Sequence, residues 1–175
     1  MQGQREQQPT GGPEIWIRGP VTAPDQQPES PPAQQTASPR RFAWVATHGG
    51  AGTTTLATVF GGHDAGRYWP RPEHGEPESV LLVARTHASG LDAVLHTLGT
   101  FRRGDAPPGL DLNAVVLVAD APGRLPRQLA QYVKAIDSVI DVYRVPWVPA
   151  WRIGDLTAPP PRESTALARL TRRHV

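Results

Sequence analysis

The sequence predicts an α/β fold: a small, mostly parallel sheet with helices on both faces, preceded by a disordered N-terminal tail. Three observations carry this. Apolar runs of strand length alternate with segments of helical period along residues 41–175. The strand runs are apolar at nearly every position, as strands buried on both faces must be. A glycine-rich turn joins the first run to the first helical segment, the connection such sheets use at their C-terminal edge.

Residues 1–40 are dominated by Gln, Pro, Ser and Gly, as in "TAPDQQPESPPAQQTASPR". Such a composition buries too little apolar surface to offset its ordering entropy, so the tail is expected to be disordered. One apolar island, Glu14–Gly19 with Ile15, Trp16 and Ile17 at its centre, interrupts it. It reads either as a short strand that docks on a sheet edge or as a chance cluster.

The folded part is expected from residue 41. "FAWVAT" is the first strand and "TTTLATVF" opens a helix. "GGHDAGRYWPRPEHGEPES" reads as a loop, with no strand ending in an acidic residue between Phe60 and Ser79. "VLLVART" is the second strand. Leu91, Val94, Leu95, Leu98 and Phe101 then recur at helical spacing. "NAVVLVAD" is the third strand. Leu125, Leu129, Tyr132, Val133 and Ile136 mark a further helical face, "VIDVYRVPWV" is a fourth strand, and "ESTALARLTRR" a terminal helix.

Composition narrows the function. The chain has 175 residues and no cysteine, which excludes a disulfide framework and thiolate metal sites. No apolar run approaches the roughly 18 residues of a membrane span. The N-terminus has no apolar signal region, so a soluble cytoplasmic protein is expected. The formal charge is +2, and Lys134 is the single lysine among 18 basic residues. Arg169, Arg172 and Arg173 cluster near the C-terminus and read as a solvated helix face, which makes nucleic acid an unlikely partner.

The glycine turn carries the chemistry. It reads His48-Gly49-Gly50-Ala51-Gly52-Thr53-Thr54-Thr55. A loop after a strand that opens a helix gathers backbone N–H groups and a positive helix end at one point, which favours an anion. The segment resembles the phosphate-binding loop of the ParA/MinD family of P-loop ATPases, whose pattern is K-G-G-x-G-K-[ST]-[ST]. The glycines and paired threonines match, whereas His48 and Thr53 stand where the family has lysines. The resemblance implies that residues 48–55 face ATP or ADP, that Thr54 holds Mg²⁺, and that the missing charge at Thr53 costs a few kcal/mol of phosphate affinity, on the scale of charge-assisted hydrogen bonds. His48 supplies charge only when protonated. Weak binding and little hydrolysis are expected, and the change Thr53→Lys should raise affinity.

The resemblance extends over residues 42 to about 156. "VLLVARTHASGLDAVLHTL" and "LNAVVLVADAPGRLP" are similar to later strands of that family. "VYRVPWVPAWRIGDL" is similar to its proline-ended strand, which places Pro146, Pro149, Trp151 and Gly154 beside the nucleotide. A second register instead reads "VVLVADAPGR" as the switch strand, with Asp120 organising Mg²⁺. The strings "HGGAG", "VADAPGRLP" and "VPWV" also resemble a small family of high-GC Gram-positive bacteria. The implied function is an accessory ParA/MinD-like module in a partitioning, secretion or transfer assembly, with a protein partner at Glu14–Gly19 and a possible homodimer. Alternatives are an active ATPase with an altered loop, and an anion or nucleic-acid binder.

His63, Asp64 and His74 fall in one loop and could meet a metal, but they lack metal-ligand spacing and the preferred reading is a solvated loop. No G-x-S-x-G elbow appears. Trp44 is expected in the core. Trp147 is expected to cap the sheet, and Trp151 to cap it or wall a pocket. Arg85 and Arg152, at strand ends, are candidates to replace the missing lysine charge.

Overall fold

In a computed structural model, residues 42–173 are described; the tail, the island at Glu14–Gly19 and residues 174–175 lie outside them. Five strands form one all-parallel sheet in the order β2-β1-β3-β4-β5. They are β1 (Phe42–Ala46), β2 (His63–Asp64), β3 (Ser79–Arg85), β4 (Asp111–Val118) and β5 (Val142–Val145). The helices are α1 (Thr53–Phe60), α2 (Ala88–Arg102), α3 (Arg127–Asp137), the short α4 (Pro149–Arg152) and α5 (Thr165–Arg173).

The strand interiors are apolar because both faces are covered. Alternate residues of each strand feed two separate cores. Trp44, Leu81, Val83, Val116 and Val118 pack with Leu56 of α1 and Leu167 of α5. Val45, Leu82, Ala84, Val115 and Leu117 pack with Leu91, Val94 and Leu98 of α2 and Val133 and Ile136 of α3. Trp44 is fully buried, lies edge-on to Phe42 and donates its indole N–H to Gly61 O at 2.6 Å. The expected strands are all present, with one more than the sequence indicated.

The additional strand corrects the reading of residues 61–79 as loop. His63 and Asp64 pair in parallel with Ala43 and Trp44, and the following turn is fastened to β1 through Ala65 N–H to Trp44 O and Ala46 N–H to Gly66 O. A strand of two residues shows no periodicity, so only its tertiary pairing reveals it. Two helical faces also differ in detail. Leu95 and Tyr132 are exposed, because the stripes that meet the sheet are Leu91, Val94 and Leu98 on α2 and Val133 and Ile136 on α3.

The topology positions the site. From β1 the chain moves to β2 on one side, while β3, β4 and β5 extend on the other. The order therefore reverses between β1 and β3, and ligands of such sheets bind at the C-terminal ends of the strands flanking that point.

Candidate functional site

The loops after β1, β3, β4 and β5 meet at this edge. The first contains the glycine turn. Gly50 and Gly52 have φ of 75° and 109°, in the left-handed region where a side chain is strained. Gly52 is the N-cap of α1 and no side chain caps that end, which leaves the first N–H groups of the helix without a side-chain acceptor. The turn is tied to β3: Thr47 N–H and hydroxyl both donate to Val83 O.

His48 is held at both ring nitrogens. Its Nε2 accepts the Arg85 N–H at 3.0 Å, and its Nδ1 lies 2.9 Å from Gly49 O. The arrangement specifies the neutral ring protonated on Nδ1, since Nε2 must accept. His48 thus fastens the loop to β3. Its ring lies 4.9 Å from that of His87, which caps α2 by accepting Gly90 N–H at 2.9 Å. Gly90 is required at this crowded point: a Cβ there would come within 2.4 Å of Arg85 O and 3.0 Å of His48 Nε2.

The three threonines divide. Thr53 is buried, Thr55 half-buried and Thr54 exposed. The Thr54 hydroxyl donates to Asp64 Oδ2 at 2.6 Å, and Asp64 Oδ1 accepts the Gly66 N–H at 3.0 Å. Burial would raise the Asp64 pKa, but hydrogen bonds from Thr54, Thr53 and Gly66, together with nearby His63, outweigh it and hold the carboxyl below its usual range. From sequence, Asp64 is expected only as part of a solvated loop with His63 and His74, not as a partner of Thr54. The available signal was the Asp64-Ala65-Gly66 turn, an acid two residues before a glycine.

Asp120, the acid that the sequence did nominate, follows β4 at the surface, and its N–H donates to Thr86 Oγ1 at 3.1 Å. The acid on Thr54 is Asp64. A hydroxyl and a carboxylate are hard oxygen donors of the kind Mg²⁺ takes when phosphate and water complete its shell. Among the described residues no group of three His, Cys, Asp or Glu side chains forms a metal cage.

The arginines converge on the loop. Arg85 Nε donates to Gly50 O at 3.3 Å and Nη1 to Ala119 O at 3.1 Å. Arg152 donates to the same Ala119 O at 3.5 Å and lies over the Trp147 ring, 4.1 Å from its centre. Burial lowers the Arg85 pKa, repulsion by Arg152 lowers it further, and Asp120 partly offsets both. A cavity of about 180 Å³ opens here, lined by Gly52, Thr55, Arg85, Val148, Trp151 and Arg152 among others. Trp151 both walls this cavity and packs edge-on against Phe60 of the core. A second, more apolar cavity of about 430 Å³ adjoins it, sharing Ala119 and Pro146, and is bounded by the 120–126 turn and by Leu129 and Val133 of α3.

Residues 42–169 match the model of a family of unknown function, DUF6668. The chain belongs to this family. No curated protein and no solved structure matches it. None of the described helices is long and apolar enough to cross a membrane.

Proposed function

We propose that this DUF6668 member is an accessory, ParA/MinD-like module that holds a Mg²⁺-nucleotide weakly and hydrolyses it little or not at all. It acts in the cytoplasm through a protein partner, with Glu14–Gly19 as the contact, in a bacterial partitioning, secretion or transfer assembly. The observation that carries the nucleotide part is the 2.6 Å bond between Thr54 Oγ1 and Asp64 Oδ2. It sets a metal-type oxygen pair at the start of an uncapped helix, directly after a glycine turn that opens toward solvent. The 430 Å³ cavity beside the arginines lies within the size range of small-molecule sites and offers an apolar wall for a base.

Weakness follows from the same geometry. Thr53 is uncharged and buried, and both ring nitrogens of His48 are engaged by the backbone rather than free for a phosphate. The bound metal would supply charge to the phosphates, and Thr54 and Asp64 would orient it. Calorimetric titration of ADP and ATP with and without Mg²⁺ tests the reading. Affinity in the range of about 0.1–1 mM, or roughly −5.5 to −4 kcal/mol, is expected, and it should fall when Mg²⁺ is withheld. Metal-independent affinity would remove the role of the Thr54–Asp64 pair. Steady phosphate release at rates typical of enzymes, about 1 per second or faster, would make the chain a working ATPase instead.

A further inference from the structure

We propose that the 180 Å³ cavity is a phosphate-anion site in which Arg85 and Arg152 supply the positive charge absent from the loop and the Trp151 indole N–H supplies a further donor. The proposal deepens the phosphate-loop reading and takes its location from it, but it requires neither a metal nor a nucleoside.

Three independent features meet in this cavity. The first is positive charge that Asp120 offsets only in part. Arg85 and Arg152 share one carbonyl oxygen, Ala119 O, and among the described residues neither forms an ion pair. Two guanidinium groups drawn to one neutral oxygen repel each other, and an anion between them would relieve that repulsion. The second is an orphaned donor. Trp151 Nε1 is buried without a hydrogen-bond partner, and its residue lines the same cavity. Buried indole N–H groups ordinarily find an acceptor, and leaving one unmade is costly. The third is the cap-free start of α1, where Gly52 and Thr55 line the cavity.

Size selects the ligand. At about 180 Å³ the cavity is smaller than the roughly 300–1,000 Å³ typical of whole small-molecule sites. It suits a phosphate or pyrophosphate group, either free or at the end of a larger molecule. Arg152 is held in place from outside by its stack on Trp147, so its guanidinium is oriented before a ligand arrives. Arg85 is anchored through Gly50 O and Ala119 O and couples occupancy of the cavity to the shape of the loop.

The test is titration of the full chain with inorganic phosphate, pyrophosphate and ADP in EDTA, so that the Thr54–Asp64 pair plays no part. Binding is followed by calorimetry and by the indole N–H proton resonances, with that of Trp151 assigned through Trp151→Phe. Pyrophosphate should shift the Trp151 resonance. Arg152→Gln should weaken binding about tenfold or more, the scale of one charge-assisted hydrogen bond. Arg85→Lys, which keeps a charge but loses the planar fork, should weaken it less. Tighter binding of ADP than of pyrophosphate would assign the phosphate to a nucleotide, and equal binding would assign it to the free anion. Unchanged affinity in Arg152→Gln, an unmoved Trp151 resonance, or no pyrophosphate binding would overturn the proposal. Those outcomes leave Mg²⁺-dependent ATP binding standing if it is found. Metal-free pyrophosphate binding without any ATP binding overturns only the nucleotide reading.

Discussion

Replacing Asp64 by Asn keeps the shape of the side chain but removes the charge that Thr54 and Gly66 donate to. Hydrogen bonds to a charged acceptor contribute about 1.5–3 kcal/mol each in sheltered sites. Asp64 is only partly buried, and solvent screening reduces the figure. Asn also retains one acceptor oxygen. The expected loss is therefore about 1–2 kcal/mol for the two contacts together. Its pH dependence gives the sharper test. The folded-state pKa of Asp64 is held below its ordinary value. Its stabilising contribution is then fully present above the unfolded-state value, near about 4, and is lost as pH falls through the folded pKa. Urea unfolding of wild type and Asp64→Asn at neutral pH and at steps below pH 4 measures this. The gap between the two should be open at neutral pH and should close on acidification. A gap that is absent at neutral pH, or that stays constant to the lowest pH, would refute the charged bond as the clasp between β2 and α1.

Other substitutions report on separate parts of the site. Thr53→Lys should raise Mg²⁺-ATP affinity about tenfold, part of the gain being lost because the position is buried beside Asp64; no gain in calorimetry would mean that the loop serves only as a turn. Gly90→Ala should cost about 1–3 kcal/mol in chemical unfolding, because the added methyl meets the backbone oxygen of Arg85, and wild-type stability would show that α2 shifts freely. Arg152→Gln should leave thermal stability within about 0.5 kcal/mol of wild type, as surface substitutions do, while weakening metal-free pyrophosphate binding.

The long strands were legible because the sheet is covered on both faces. Phe42–Ala46, Val80–Ala84 and Ala114–Val118 are each buried without interruption, and an apolar run of that length announces itself. The glycine turn was legible because Gly50 and Gly52 adopt conformations that other residues avoid. Asp64 was not. Its role depends on a two-residue strand that brings it to Thr54 from ten positions away, and no local pattern encodes that meeting. Asp120 drew attention instead because it ends a long, visible strand, although its strand is separated from β1 by β3. The convergence of Arg85 and Arg152 is open to sequence reasoning as two arginines expected at strand ends in a lysine-poor chain, although Arg152 closes the short α4 rather than a strand. That they share Ala119 O, and that Trp151, whose indole N–H is unpartnered, lines the same cavity, are tertiary facts. Leu95 and Tyr132 share the apolar stripes of α2 and α3 yet are exposed, because helical spacing gives a stripe without fixing its width.

The proposed function has the loop at residues 48–55 still holding a nucleotide, weakly and with the help of a metal. Isothermal titration of ATP into the full chain, once with Mg²⁺ and once with EDTA, tests it most directly. Saturable binding in the range of about 0.1–1 mM is expected with Mg²⁺, with a clear loss of affinity in EDTA. No heat at millimolar ATP in either buffer would contradict retention of the site, and low-micromolar binding would contradict its degeneracy.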